Sequence, residues 1–153
     1  MARILALAYD TAGIFARYKA IHDEVLGFSV RRALHGLSLH KGAYFRAREH
    51  ELASLRGELD RIQGSIRGLA RQELTQRAGE EVRKALLQYI DALLAAVSQL
   101  ELMCRGFRLE YDGDGAYAQY SHTEYREDSV AYDDLVQQYK RCGVRLNRLL
   151  ESF

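Results

Sequence analysis

The chain contains no proline and no tryptophan, and its 12 glycines are spread along 153 residues. Without proline the commonest helix breaker is missing, and sparse turn punctuation leaves little room for the dense β-turns of an all-β fold. An all-helical chain follows. Cysteine is as scarce: Cys104 and Cys142 are too few for a disulfide-stapled scaffold and have no Cys or His partners at zinc-site spacing. Both are read as reduced thiols at core-compatible helix positions. Charge of one sign is lacking too, since 22 basic and 21 acidic residues leave a net charge of +1 and no global attraction for nucleic acid or an anionic membrane. The apolar run Ile4 to Ala8 is too short for a signal peptide or a membrane span, so a cytoplasmic location without a membrane partner is expected.

What the sequence does have is heptad spacing. Ile4, Leu7, Thr11, Ile14, Tyr18, Ile21, Val25 and Phe28 alternate by three and four, and only Thr11 is polar. Phe45, Leu52, Leu55, Leu59, Ile62, Ile66 and Leu69 keep the same spacing, with Arg48 as the one interruption. The seam then fades and restarts one residue out of phase at Val82, Leu86, Tyr89, Leu93, Ala96, Leu100, Met103 and Phe107. A turn is expected near residues 76 to 80, with Gly79 at the break. The rival reading is one unbroken helix from Tyr44 to Tyr111. After the turn chemistry of Asp112-Gly113-Asp114-Gly115, Ser121 and Glu124 form a capping box that opens a fourth helix with the seam Tyr125, Tyr132, Leu135, Tyr139, Cys142, Leu146, Leu149 and Phe153. The first helix is expected to run to about His35, with its connector in Gly36 to Gly42. Short turns between long helices favour an antiparallel up-down-up-down four-helix bundle, with coiled-coil-like helices, as a single domain over residues 1–153. A third–fourth hairpin about residue 116 sets Cys104 opposite Asp128 and Cys142 opposite Ile90, too far apart along the bundle for a disulfide.

Three short segments resemble functional motifs. Ala33-Leu34-His35-Gly36-Leu37-Ser38 resembles the phosphoacceptor helix of histidine phosphotransfer domains, but Ser38 and Leu39 stand where that family has lysine and glycine. Arg17 and His22 have the spacing of the arginine–histidine motif of HEPN-type ribonucleases, although they lie on the first helix and that family carries the motif late. Glu110-Tyr111-Asp112-Gly113-Asp114-Gly115 is similar to the start of an EF-hand loop, but Ser121 stands where a bidentate Glu is needed. In each case the plainer reading is preferred: a connector histidine, two solvated residues beside the seam, and an Asp-Gly turn. None of the five histidines has Glu or Asp three residues before it, so the di-iron pattern of helical bundles is missing. No catalytic, cofactor-binding or metal-ligating residue is assigned.

Charge is nevertheless segregated. Between Val25 and Arg48 there is no acid, while Arg31, Arg32, Lys41, Arg46 and Arg48 form a basic block; Glu110 to Asp134 holds eight acids against Arg126 alone. The basic block is a candidate anion or nucleic-acid site, with Tyr44 and Phe45 as stacking residues. Self-neutralisation is favoured, because in this topology the first and third connectors share one end of the bundle. A second stripe on the third helix, Leu87, Ile90, Leu94 and Val97, makes its apolar arc wider than one seam requires, and a homodimer burying that stripe is expected. The resulting expectation is a small non-enzymatic interaction protein, an adaptor or scaffold binding proteins through helix faces. The alternative is a nucleic-acid-associated accessory protein using the basic block.

Overall fold

The computed structural model describes residues 2–32, 41–69, 77–112 and 122–152, with side chains described over 2–27, 42–69, 79–112 and 123–152. The described residues form four helices: α1 (Ala2–Arg32), α2 (Lys41–Arg67), α3 (Arg77–Asp112) and α4 (His122–Leu150). The fold is an all-α four-helix bundle.

The expected seams are the core. Ile4, Ile14, Tyr18, Ile21 and Val25 of α1, Phe45, Leu52, Leu55, Leu59 and Ile66 of α2, and Val82, Leu86, Leu93, Leu100 and Met103 of α3 are all buried. Thr11, the one polar residue in the α1 seam, is 1% exposed and donates its hydroxyl to the Leu7 carbonyl at 2.7 Å, so its burial leaves no donor unsatisfied. Tyr132, Tyr139 and Leu146 are the buried seam residues of α4, joined by Val136.

α3 is the centre of the bundle. It packs tightly against α2 on one side and α4 on the other, and also meets α1. This double contact accounts for its wide apolar arc: Ile90 and Val97 are 0% exposed within the one chain, and Leu87 and Leu94 pack against the core. The stripe Leu87, Ile90, Leu94 and Val97 therefore serves the chain's own packing, and the width of the arc is no argument for a dimer there. α3 also has the length and apolarity to cross a membrane, and more than half of that window is buried inside the bundle.

Polar pairs fix the register of α2 against α3. Arg46 meets Asp112 at 2.7 Å, Glu49 meets both Arg105 and Arg108 at 2.8 Å, Arg56 meets Glu101 at 3.2 Å, and Gln63 meets Asp91. These rungs run antiparallel, which excludes one unbroken helix from Tyr44 to Tyr111. The break comes earlier than the fading seam suggests: α2 ends at Arg67, Gly68 still bonds to the Gly64 carbonyl, and the Leu69 amide tightens onto Ile66. Gly79 lies inside the first turn of α3. At the other junction Phe107 lies against Tyr125, and Tyr89 against Gly143, the register of a hairpin centred near residue 116. Cys104 and Cys142 are free thiols. The α4 start at His122 falls immediately after Ser121, which itself lies outside the described residues, as do residues 36–40 of the connector expected at Gly36 to Gly42; its last two residues, Lys41 and Gly42, instead open α2.

Gly143 is where α4 admits the Tyr89 ring: a Cβ there would stand 3.2 Å from Tyr89 Cε2. At Gly57 and Gly64 a Cβ would meet nothing within 4 Å. Urea denaturation of Gly143→Leu is accordingly expected to show a loss of about 1–3 kcal/mol from overpacking. Gly64→Ala should gain about 0.5–1 kcal/mol from helix propensity alone. Equal effects at the two positions would contradict this packing.

Candidate interaction surface and the buried tyrosine network

α1 and α4 close the bundle without approaching one another: no Cα of one lies within 8 Å of a Cα of the other among the described residues. Large side chains fill the gap. Phe15 and Tyr18 of α1 meet Tyr139 of α4 with ring centroids 5.7 and 5.9 Å apart, both edge-on, and Phe15 also meets Tyr89 of α3. Edge-to-face pairs of this kind contribute roughly 0.5–1.5 kcal/mol each beyond their area.

Three polar atoms run through this aromatic wedge. Tyr132 Oη lies 2.6 Å from Tyr18 Oη and 2.5 Å from His22 Nδ1. Tyr18 is fully buried and Tyr132 is 1% exposed. Burial, reinforced for Tyr18 by the neighbouring Tyr132 hydroxyl, raises both phenols far above their ordinary range, so they stay protonated. Burial also lowers the half-buried His22, against an opposing pull from Asp23 and with further lowering from Lys140 and Lys19; Asp133 also faces it and raises it. With the imidazole neutral and protonated at Nε2, Tyr132 donates to Nδ1 and accepts from Tyr18. These three groups form a latch holding α1 to α4. Burial pushes the Cys104 thiol up to about 12, so it is neutral and weakly nucleophilic at neutral pH.

Arg17 and His22 are not brought together. Arg17 turns toward α2 and forms a two-bond pair with Glu58, while His22 turns toward α4. Five residues on a helix separate side chains by roughly 140°, which is the physical reason. The basic segment divides in a similar way. Arg46 is held by Asp112, and Arg48 lies 2.6 Å from Glu51 and 3.2 Å from Glu24, stacked over the Tyr44 ring. Phe45 is 1% exposed and stacked on Phe107, so it is a core residue and offers no ring face to a base. The side chains of Arg31, Arg32 and Lys41 lie outside the described residues, as do His35 and His40 and, in the EF-like segment, Asp114, Gly115 and Ser121. Asp112 of that segment faces Arg46 and Arg108. Among the described residues no group of three His, Cys, Asp or Glu is placed to hold a metal ion.

Two features were not read from the sequence. One is the Tyr18–Tyr132–His22 latch, in which Tyr132 lies 114 and 110 residues from Tyr18 and His22. The other is the outer face of α1. Ala2, Leu5, Ala6, Tyr9, Ala12, Gly13, Ala16 and Ala20 are all exposed, and together they make a face with no charged side chain along nearly five turns. Tyr9 is 82% exposed and Leu5 40%. The 3.6-residue spacing of these positions was available as a signal, but small residues carry little weight in a search for seams. Compared with known proteins, the chain matches no family model, no curated protein and no solved structure.

Two outcomes follow. Tyr132→Phe should cost about 1–3 kcal/mol, because it leaves His22 Nδ1 and the Tyr18 hydroxyl without their shared partner. The depressed His22 pKa also sets a direction: the unfolded chain takes up a proton near pH 6.5 before the folded one does, so stability falls as pH drops below that value. Thermal melts of His22→Gln should lose this part of the acid sensitivity; an unchanged slope would contradict the latch.

The charge pairing is tested by reversal. Arg46→Glu should lower stability by about 0.2–1 kcal/mol, more at low salt, and adding Asp112→Arg should recover most of it. A reversal that leaves melting unchanged yet abolishes retention on a polyanion would return the basic block to a nucleic-acid role.

Proposed function

We propose that this protein is a small non-enzymatic interaction module that docks a protein partner on the outer face of α1. The supporting observation is the exposed, charge-free surface around Leu5 and Tyr9, on a helix whose opposite face is already buried in the core. Contiguous exposed apolar surface of this kind marks protein contacts, and a tyrosine supplies a large, rigid contact area at low entropic cost. The described polar groups are largely committed within the chain. Arg17, Arg46, Arg48, Arg56, Arg105 and Arg108 all face carboxylates of neighbouring residues. This weighs against the nucleic-acid alternative. Two free thiols fit a reducing compartment, and the cytoplasm is the setting this reading assumes.

A photo-crosslinking residue placed at Tyr9 in cells should give protein adducts. The same residue at Val130, an exposed apolar position on α4, serves as the comparison. Adducts at Tyr9 exceeding those at Val130 are expected, and their absence at Tyr9 would overturn the reading.

A further inference from the structure

From the charge pattern beside this face we infer that its occupant is a second copy of the chain, paired α1 against α1 in antiparallel orientation about Gly13. The inference rests on the proposed function above and supplies its partner.

Along one edge of the α1 face lie Arg3, Asp10, Arg17 and Glu24, seven residues apart and all exposed, with charges alternating in sign. In an antiparallel pair related by a twofold axis, the same edge of each helix faces itself. A register centred on Gly13 then brings Arg3 within one residue, about 1.5 Å along the axis, of the level of Glu24 of the second copy, and Asp10 within one residue of its Arg17. Each pair occurs twice, and every contact is between opposite charges. The pattern therefore complements itself in this orientation.

The apolar residues agree with the same register. Tyr9 comes within one residue of the level of Ala16 of the second copy and Leu5 within one residue of its Ala20, so each large side chain has a small one beside it, as interdigitating helices require. Gly13 then meets Gly13 at the axis. Within the single chain its missing side chain has no explanation: it sits mid-helix, exposed, and a Cβ there would meet nothing within 4 Å. An interior helix glycine costs about 0.5–1 kcal/mol relative to alanine, and close approach of another helix backbone is a reason to keep one. Arg17 and Glu24 are also paired with Glu58 and Arg48 of α2 in their own chain, so their contacts with the second copy are shared ones on the α2 side of the face.

The test uses the purified full chain. Sedimentation equilibrium should show a dimer, and Gly13→Leu and Tyr9→Glu should give monomers whose helicity is unchanged. Asp10→Arg, which sets like charge beside Arg17 at both symmetric contacts, should weaken association roughly tenfold, the equivalent of about 1.4 kcal/mol. Ala12→Cys lies close to the twofold axis and should form an intermolecular disulfide. Leu5→Cys should not, because its two copies stand about 24 Å apart along the helices at 1.5 Å per residue. The wild-type chain reports any background from Cys104 and Cys142. A wild-type chain that stays monomeric to roughly 100 µM would overturn the inference, since an affinity weaker than that is not a specific dimer. So would crosslinking of Leu5→Cys as readily as Ala12→Cys, which indicates parallel helices. If the purified chain is monomeric while Tyr9 adducts in cells contain another protein, the self-pairing is wrong and the interaction module stands. If Tyr9 gives no adduct at all, both fall.

Discussion

A helix that is apolar over two adjacent stripes has to be covered twice, and α3 is such a helix. Its stripe through Leu86, Leu93 and Leu100 and its stripe through Ile90 and Val97 are both fully buried, with α2 and α4 laid along its two sides. At roughly 1.5–3 kcal/mol for each large apolar side chain removed from water, this double burial is the dominant favourable term in the fold. It also dictates the remaining geometry. With α2 and α4 each committed to α3, α1 is left to fill the remaining edge, and aromatic rings span the distance that helix backbones do not.

That arrangement separates two kinds of order in the bundle. The α2–α3 junction carries rungs of charge and amide pairs, which fix its register from the outside while the apolar seam packs within. The α1–α4 junction has an internal polar element, the Tyr18, Tyr132 and His22 atoms, inside an aromatic wedge. Exposed ion pairs contribute little individually, whereas a buried hydroxyl deprived of its partner is costly. The first junction is thus tolerant of single changes in its polar pairs and the second is sensitive to them. Arg46 with Asp112 illustrates the first and Tyr132 the second.

The heptad pattern made four helices and most of the core legible, since every large apolar side chain in the α3 seam except Tyr89 is buried. The α2 end was less so. The seam runs through Leu69, but the helix stops at Arg67, because a pattern of burial continues through a tightened turn as readily as through a helix. The second α3 stripe was visible and its destination was not: one sequence shows that an arc is wide, and only the packing shows whether the same chain covers it. The latch is not legible in the sequence because hydroxyl contacts between residues more than a hundred positions apart depend on rotation and height of two helices at once. The α1 face is hidden in the sequence because alanine and glycine carry little hydrophobic signal. In an exposed helix face they are the positions that admit a neighbour.

The α1–α4 junction also bears on the order in which the chain closes. α2 with α3 and α3 with α4 are neighbours in sequence, joined across short connectors, so their contacts can form while little of the chain is constrained. Tyr18 and Tyr132 are 114 residues apart, and bringing them together closes a loop containing both other helices. Loop-closure entropy rises only slowly with length, so the separation itself costs little once intervening helices have shortened the span. The joint is nonetheless the most non-local in the bundle, and it depends on α4 already being seated on α3. On these grounds α1 is expected to dock last and to open first. Amide hydrogen exchange along the chain would then rank α1 below α3 in protection, with the bundle behaving as a helical triplet that carries a detachable fourth member.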